Sequence, residues 1–219
     1  MPALVKPDLC VFDLDGTLVD SLQDIAEALN ECLELLGVPT HPVQDYRYMV
    51  GEGVPKLCQR AIGETHPHLV GRLIELARPR YRSRVVRRTR PYEGIPGVVS
   101  ELQSRGIQLA VLSNKPHELT RLVADAFWAS GTFGRVQGYV TEAGRKPDPG
   151  LLCEICAEAG VGTDRAWMIG DTPTDIKTAQ RAGCTSVAVT WGFRPEADLR
   201  DAGADHIVHR PTDLLQFAD

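Results

Sequence analysis

Short apolar runs recur along this chain, each followed by a polar turn and then by a helical pattern. The runs are "LCVF" (Leu9 to Phe12), "IQLAVLS" (Ile107 to Ser113), "AWMIG" (Ala166 to Gly170), "SVAVT" (Ser186 to Thr190) and "HIV" (His206 to Val208). They are continuous rather than alternating, which suits strands buried on both faces of a parallel sheet. Helices with recognisable stop signals fall between them: "PGVVSELQSRG", "HELTRLVADAFWAS" and "PTDIKTAQRAG". Strands and helices alternate, so the pattern predicts an α/β fold with a doubly wound parallel sheet.

One interval breaks the rhythm. From about Leu18 to Arg90 no strand run is evident. Ile25, Ala26, Leu29, Cys32, Leu33 and Leu36 keep helical spacing, and Gly37 lies where a C-cap would. "VPKLCQRAIG" and "HLVGRLIELARPRYRSRVV" supply further helices. A helical insertion directly after the first strand stands over the carboxyl edge of the sheet, where open α/β sheets bind ligands. The pattern therefore predicts a core of residues 1–17 and 86–219 with a helical lid of residues 18–85.

Composition narrows the classes. The 219 residues are 43% hydrophobic and 24% charged, the balance of an ordinary globular protein. A net charge of −5 argues against a general nucleic-acid binder. No apolar run approaches the roughly 20 residues that cross a bilayer, and "MPALVKPDLCVFD" has no signal-peptide pattern. The reading is a cytoplasmic protein, monomer or homodimer, without membrane or nucleic-acid partners. Cys153 and Cys156 form a CxxC, but no second ligand pair accompanies it. They read as core-facing thiols on a helix, consistent with a reducing compartment. "RPRYRSRVVRRTR" carries seven arginines between Arg78 and Arg90. It reads as a solvated helix face near the return to the core, placed to steer anions.

The candidate chemistry begins at "VFDLDGTLVDS". Asp13 and Asp15 stand two residues apart where the first strand ends. Like charges this close oppose each other's ionisation, unless a cation offsets them or one carboxyl stays protonated. Three more polar clusters follow: Ser113/Asn114/Lys115, Lys146 in "GRKPDPG", and Asp171/Asp175 in "IGDTPTDIKTA". Singly, each also reads as a turn, a loop or a helix cap, with Pro173 at a favoured early helix position. Their placement in order beside one sheet edge points to a shared site.

Together these residues resemble the haloacid dehalogenase superfamily, specifically its phosphatases with a helical cap inserted after the first strand. "DLDGT", "SN", "KPDP" and "GDTPTD" correspond to its four motifs in order, over nearly the whole chain. The resemblance implies a Rossmann-like core and a Mg²⁺-dependent phosphatase that forms an aspartyl-phosphate. Asp13 would be the nucleophile and Asp15 the general acid and base. Mg²⁺ would be held by Asp13, the Asp15 carbonyl and Asp171, with Asp175 orienting metal-bound water. Ser113 and Asn114 would cradle the phosphoryl oxygens, Lys146 would supply a fixed positive charge, and Thr17 would support the loop. For Thr17 and Asp175 a purely structural turn or cap role stands beside the functional one.

Asp15 argues against dehalogenation, since the dehalogenases of this superfamily lack it. The first cap helix contains no lysine for the Schiff base used by phosphonate-cleaving relatives, and Lys56 is the one lysine between residues 18 and 85. "SNKP", "GDTPTDIKTAQRAG", "VGEGVPKL" and the segment from Thr190 onward resemble the phosphoglycolate phosphatase branch. That likeness implies a small phosphorylated metabolite as partner, 2-phosphoglycolate first, with a sugar-phosphate or nucleotide-related phosphatase, a phosphomutase or a non-catalytic binding module as alternatives. In the cap, Arg47, Gly51, Glu52, Gly53 and Arg60 are the candidate substrate-facing residues. Arg47 could grip a substrate carboxylate with its planar fork, or sit as a solvated surface arginine.

Overall fold

Four residues set the geometry of the core. In β1 (Leu9–Phe12), Leu9 and Val11 enter one hydrophobic cluster while Cys10 and Phe12 enter another, and none is more than 1% exposed. Successive strand side chains point to opposite faces, so this strand is buried on both sides, as its unbroken apolar run predicts. The computed structural model describes residues 6–141 and 144–216. Residues 1–5, 142–143 and 217–219, which the predicted core includes, lie outside the described residues.

Around β1 a six-stranded parallel sheet forms in the order β5-β4-β1-β6-β7-β8. Its other members are β4 (Gln108–Pro116), β5 (Arg135–Tyr139), β6 (Ala166–Gly170), β7 (Thr185–Val189) and β8 (His206–Val208). The cluster holding Cys10 and Phe12 also takes Val98, Val99 and Leu102 of α4 (Ile95–Ser104) and Val123 of α5 (His117–Phe127). The opposite cluster takes Leu152 and Ile155 of α6 (Gly150–Ala159) and Ala179 of α7 (Pro173–Ala182). On α6, Cys156 is buried but Cys153 is exposed, which corrects the expectation that both thiols face the core. A spacing of three residues turns them about 60° apart around the helix, enough to leave one outside.

The interval without strand runs is helical: α1 (Leu22–Leu35), α2 (Val54–Ile62) and α3 (Val70–Arg82). Leu22, Ile25, Leu29, Cys32 and Leu33 of α1 pack with Leu57 and Cys58 of α2 and Leu73 and Ala77 of α3. These helices thus have a hydrophobic cluster of their own, joined by Phe193 from the segment after β7. Two very short strands, β2 (Val19–Asp20) and β3 (Arg90–Pro91), pair antiparallel where the chain leaves and re-enters the sheet layer. They correct the expectation of no strand in this interval. Beside them, the buried Asp24 carboxylate accepts from the Arg88 and Thr89 N–H groups and from the Thr89 hydroxyl, at 2.8–3.0 Å.

Topology positions the site. From β1 the chain crosses to β4 and β5 on one side, then returns to β6 on the other. The connections diverge at β1, and such switch points open a crevice at the carboxyl ends of the strands.

Candidate active site

Asp13 is the first residue past β1, anchored by its N–H to the Ile169 carbonyl of β6 at 2.8 Å. The loop that follows is tight: Gly16 donates to the Val19 carbonyl, and the Leu14 carbonyl accepts from Leu18 and Val19. Gly16 has φ +95°, and a Cβ there would come within 2.2 Å of Asp171 Oδ2. A side chain at this position would occupy the place of a neighbouring carboxylate, so glycine is required twice over.

Three carboxylates converge. Asp13, Asp171 and Asp175 are 6%, 0% and 1% exposed, and an oxygen from each lies within 4.8 Å of the others. Lys146 reaches them from the loop before α6, its Nζ 2.9 Å from Asp13 Oδ1 and 2.6 Å from Asp175 Oδ1. Thr17 donates to Asp171 Oδ1 at 3.1 Å and the Phe193 N–H to Asp171 Oδ2 at 2.8 Å. Asp175 also closes the capping box of α7, accepting from the Thr172 N–H and hydroxyl.

The electrostatics of this cluster are out of balance. One ammonium faces three buried carboxylates. Burial pushes the Asp13 carboxyl up to about 6, against the pull of Lys146. Burial and the charges of Asp13 and Asp175 likewise raise Asp171. For Lys146, burial opposes the ammonium, but Asp13 and Asp175 outweigh it and hold it above the ordinary lysine range. Asp13 Oδ1 accepts no well-aligned hydrogen bond despite the nearby ammonium. An all-oxygen donor set with surplus negative charge fits a hard divalent cation such as Mg²⁺.

Asp15 has a separate environment. Lys115 Nζ donates to its two oxygens at 2.8 and 2.9 Å, and Ser21 Oγ donates at 2.6 Å. The same ammonium is hydrogen-bonded to the Tyr81 hydroxyl at the end of α3. Ser113 and Asn114, at the carboxyl end of β4, are buried beside Lys115. The Asn114 side chain accepts from the Lys146 N–H at 2.9 Å and donates to the carbonyls of Lys146 and Gly51 at 2.9 and 3.0 Å. It thereby ties the strand end to the lysine loop and to the helical layer.

A cavity of about 70 Å³ lies over these groups, lined below by Asp13, Asp15, Ser113, Asn114 and Lys115. Its upper wall is Ile25, Leu29, Leu57 and Ala77, with Arg78 and Tyr81 at one side. Gly51 and Gly53 also line it, at φ +115° and +86°. Glu52 pairs with Arg60, and its carbonyl accepts from Arg145 at 2.9 Å.

Arg47 is placed differently from the expectation. Its Nε and Nη2 donate to the carbonyls of Phe193 and Gly192, both at 2.9 Å, and it does not line the cavity. The planar fork meets core backbone rather than open space, which corrects its reading as a substrate-facing residue. Arg194 returns the exchange, donating to the carbonyls of Arg47, Tyr48 and Val50 at 2.8–3.2 Å. Sequence reasoning passed over Lys115 as a site residue although it stood inside a quoted motif. It had no signal for Tyr81, nor for Gly192, where a Cβ would fall 2.3 Å from that of Asp171.

A family model described as haloacid dehalogenase-like hydrolase matches residues 10–189. The phosphoglycolate phosphatase of Aquifex aeolicus is 33% identical over 209 residues, covering 95% of this chain and 95% of its own. That of Caulobacter vibrioides is 35% identical over 211 residues, 93% of this chain and 87% of its own. Among solved structures, a predicted phosphoglycolate phosphatase from Haemophilus somnus superposes with a TM-score of 0.91 at 25% identity, covering 99% of this chain and 100% of that one. The matched span runs from β1 through β7 and takes in every carboxylate of the cluster; on that match the chain belongs to the haloacid dehalogenase-like hydrolases.

Proposed function

We propose that this hydrolase is a Mg²⁺-dependent phosphatase that cleaves a small phosphomonoester through an aspartyl-phosphate, with 2-phosphoglycolate as the foremost substrate. The observation that carries this reading is Asp13 held against Lys146 within an acidic cluster, beneath a small cavity. In the first step an Asp13 oxygen forms a bond to phosphorus as the ester P–O bond breaks. The leaving alkoxide takes a proton from Asp15. In the second, water attacks the acyl phosphate, gives its proton to Asp15 and regenerates Asp13. Lys146 and the Ser113–Asn114 strand end hold charge and donors at the transferring group. Asp13, the Asp15 carbonyl, Asp171 and Asp175 are the residues that would hold Mg²⁺, which supplies charge neutralisation of the phosphoryl oxygens when bound.

In this reading residues 1–17 and 86–219 are the catalytic core and 18–85 the cap. The choice of substrate is supported by the 33–35% identity to phosphoglycolate phosphatases, and a small cavity with an apolar cap wall suits a short leaving group.

The test is phosphate release from 2-phosphoglycolate, a hexose phosphate and a mononucleotide, each with Mg²⁺ and with chelator. The expected result is release that requires Mg²⁺, with the highest kcat/KM for 2-phosphoglycolate. Higher kcat/KM for either larger ester would overturn the substrate. Isomer formation without phosphate release would overturn the hydrolytic reading.

A further inference from the structure

Two cations line the cavity, neither of them the Lys146 that pairs with Asp13. Lys115 is 3% exposed in its side chain, an ammonium buried beside the space where a leaving group would sit. Its donors go to the two oxygens of Asp15 and to the Tyr81 hydroxyl. Because that hydroxyl accepts from Lys115, its own proton remains for a further acceptor. Burial, with Asp15 and Asp24 nearby, keeps the Tyr81 phenol protonated well above the ordinary tyrosine range.

Arg78 is the second cation. It stands one helical turn before Tyr81 on α3, so both project from one helix face. The other arginines of its run are engaged or point elsewhere. Arg82 pairs with Glu118, Arg84 with Glu31 and Arg88 with Glu27, while Arg80 and Arg90 donate to backbone carbonyls. Arg87 does not line the cavity. Arg78 does, from an exposed position at the rim, and its guanidinium makes no hydrogen bond or ion pair among the described residues. The remaining cap wall is hydrocarbon, from Ile25, Leu29, Leu57 and Ala77.

A short leaving group with a methylene and a carboxylate complements these surfaces. The methylene meets the apolar wall, and the carboxylate meets the Arg78 guanidinium and the Tyr81 hydroxyl. We propose that Arg78 and Tyr81, with Lys115 behind them, form a subsite for the leaving group's carboxylate. The inference rests on the 2-phosphoglycolate reading and moves carboxylate recognition from Arg47 to α3.

Two esters of nearly equal size isolate the carboxylate: 2-phosphoglycolate and 2-hydroxyethyl phosphate. Steady-state kinetics with Mg²⁺ would compare the wild type with Arg78→Ala, Arg78→Lys and Tyr81→Phe. The wild type should favour 2-phosphoglycolate. Arg78→Ala and Tyr81→Phe should each lower kcat/KM for that ester by about ten- to a hundredfold, chiefly through KM. For 2-hydroxyethyl phosphate the loss should stay within about threefold, and Arg78→Lys should recover part of the lost selectivity. If the wild type prefers 2-phosphoglycolate but both esters suffer equally in the variants, the subsite is overturned while the substrate reading stands. If the wild type shows no preference between the esters, the substrate reading falls and takes the subsite with it.

Discussion

Asp13 is a nucleophile candidate whose burial works against its own ionisation. Its carboxyl is raised to about 6 because burial disfavours the charge more strongly than Lys146 favours it. A residue kept under such conditions contributes to chemistry at the expense of stability. Asp13→Asn removes the negative charge and nearly preserves the volume. The substitution should lower phosphate release by on the order of 10⁴-fold or more. It should also raise the Tm of the chelated protein at pH 7.5, because one of three mutually repelling buried charges is gone. Calorimetry and a phosphate assay on the same preparation check both halves. A lower Tm would mean that Lys146 needs Asp13 more than Asp13 needs a cation.

At the scale of elements, the segment between β7 and α8 (Glu196–Asp201) does several things at once. The Phe193 N–H holds Asp171, the Phe193 ring joins the helical cluster, and the Trp191 indole donates to the Thr17 carbonyl at 3.0 Å. Arg47 grips two carbonyls of this segment while Arg194 grips three of the helical layer. The exchange joins the helices to the acidic cluster, so loosening it should disturb every substrate alike. Arg47→Ala is expected to lower kcat/KM by about three- to thirtyfold, equally for 2-phosphoglycolate and for a neutral aryl phosphate. Arg194→Ala in the same background should add less than its single effect, since the two side chains share one segment. A loss confined to the carboxylate ester would instead put Arg47 in contact with substrate.

For the whole molecule, the acidic cluster makes stability depend on pH and on divalent cations. Asp13 titrates near its ordinary value of 3.8 when unfolded and at about 6 when folded. Between those values the native state binds more protons than the unfolded state, so this group lowers stability as pH rises through that window. Asp171 acts in the same direction. A bound cation replaces the missing protons, and its benefit is greatest where the carboxylates are ionised. Mg²⁺ should therefore raise Tm little at pH 5 and by about 5 °C or more at pH 7.5, measured against chelated controls. An increment independent of pH would place the ion away from Asp13.

Much of this was legible in the chain because continuous apolar runs have few other uses in a protein of this size. The runs at Leu9–Phe12, Ala166–Gly170 and His206–Val208 coincide with β1, β6 and β8, and the acidic and basic residues at the strand ends converge at one edge. A buried strand must be apolar along its length, and a charge at its end must have a reason to be there. The edge strand β5 escaped notice because "RVQGY" is only partly buried and its polar Arg135 and Gln137 break the apolar run. The ribbon of β2 and β3 is two residues long on each side, too short for any period to register. What the fold alone decided is how the helical layer meets the sheet. Arginines 47 and 78 are of the same type, and either could in principle have faced the leaving group. Their difference lies in packing: Arg47 meets backbone carbonyls 145 and 146 positions away in sequence, whereas Arg78 falls one turn from Tyr81 over the cavity. Helix periodicity tells which residues share a face, but the direction of that face is set by tertiary contacts between residues far apart in the chain.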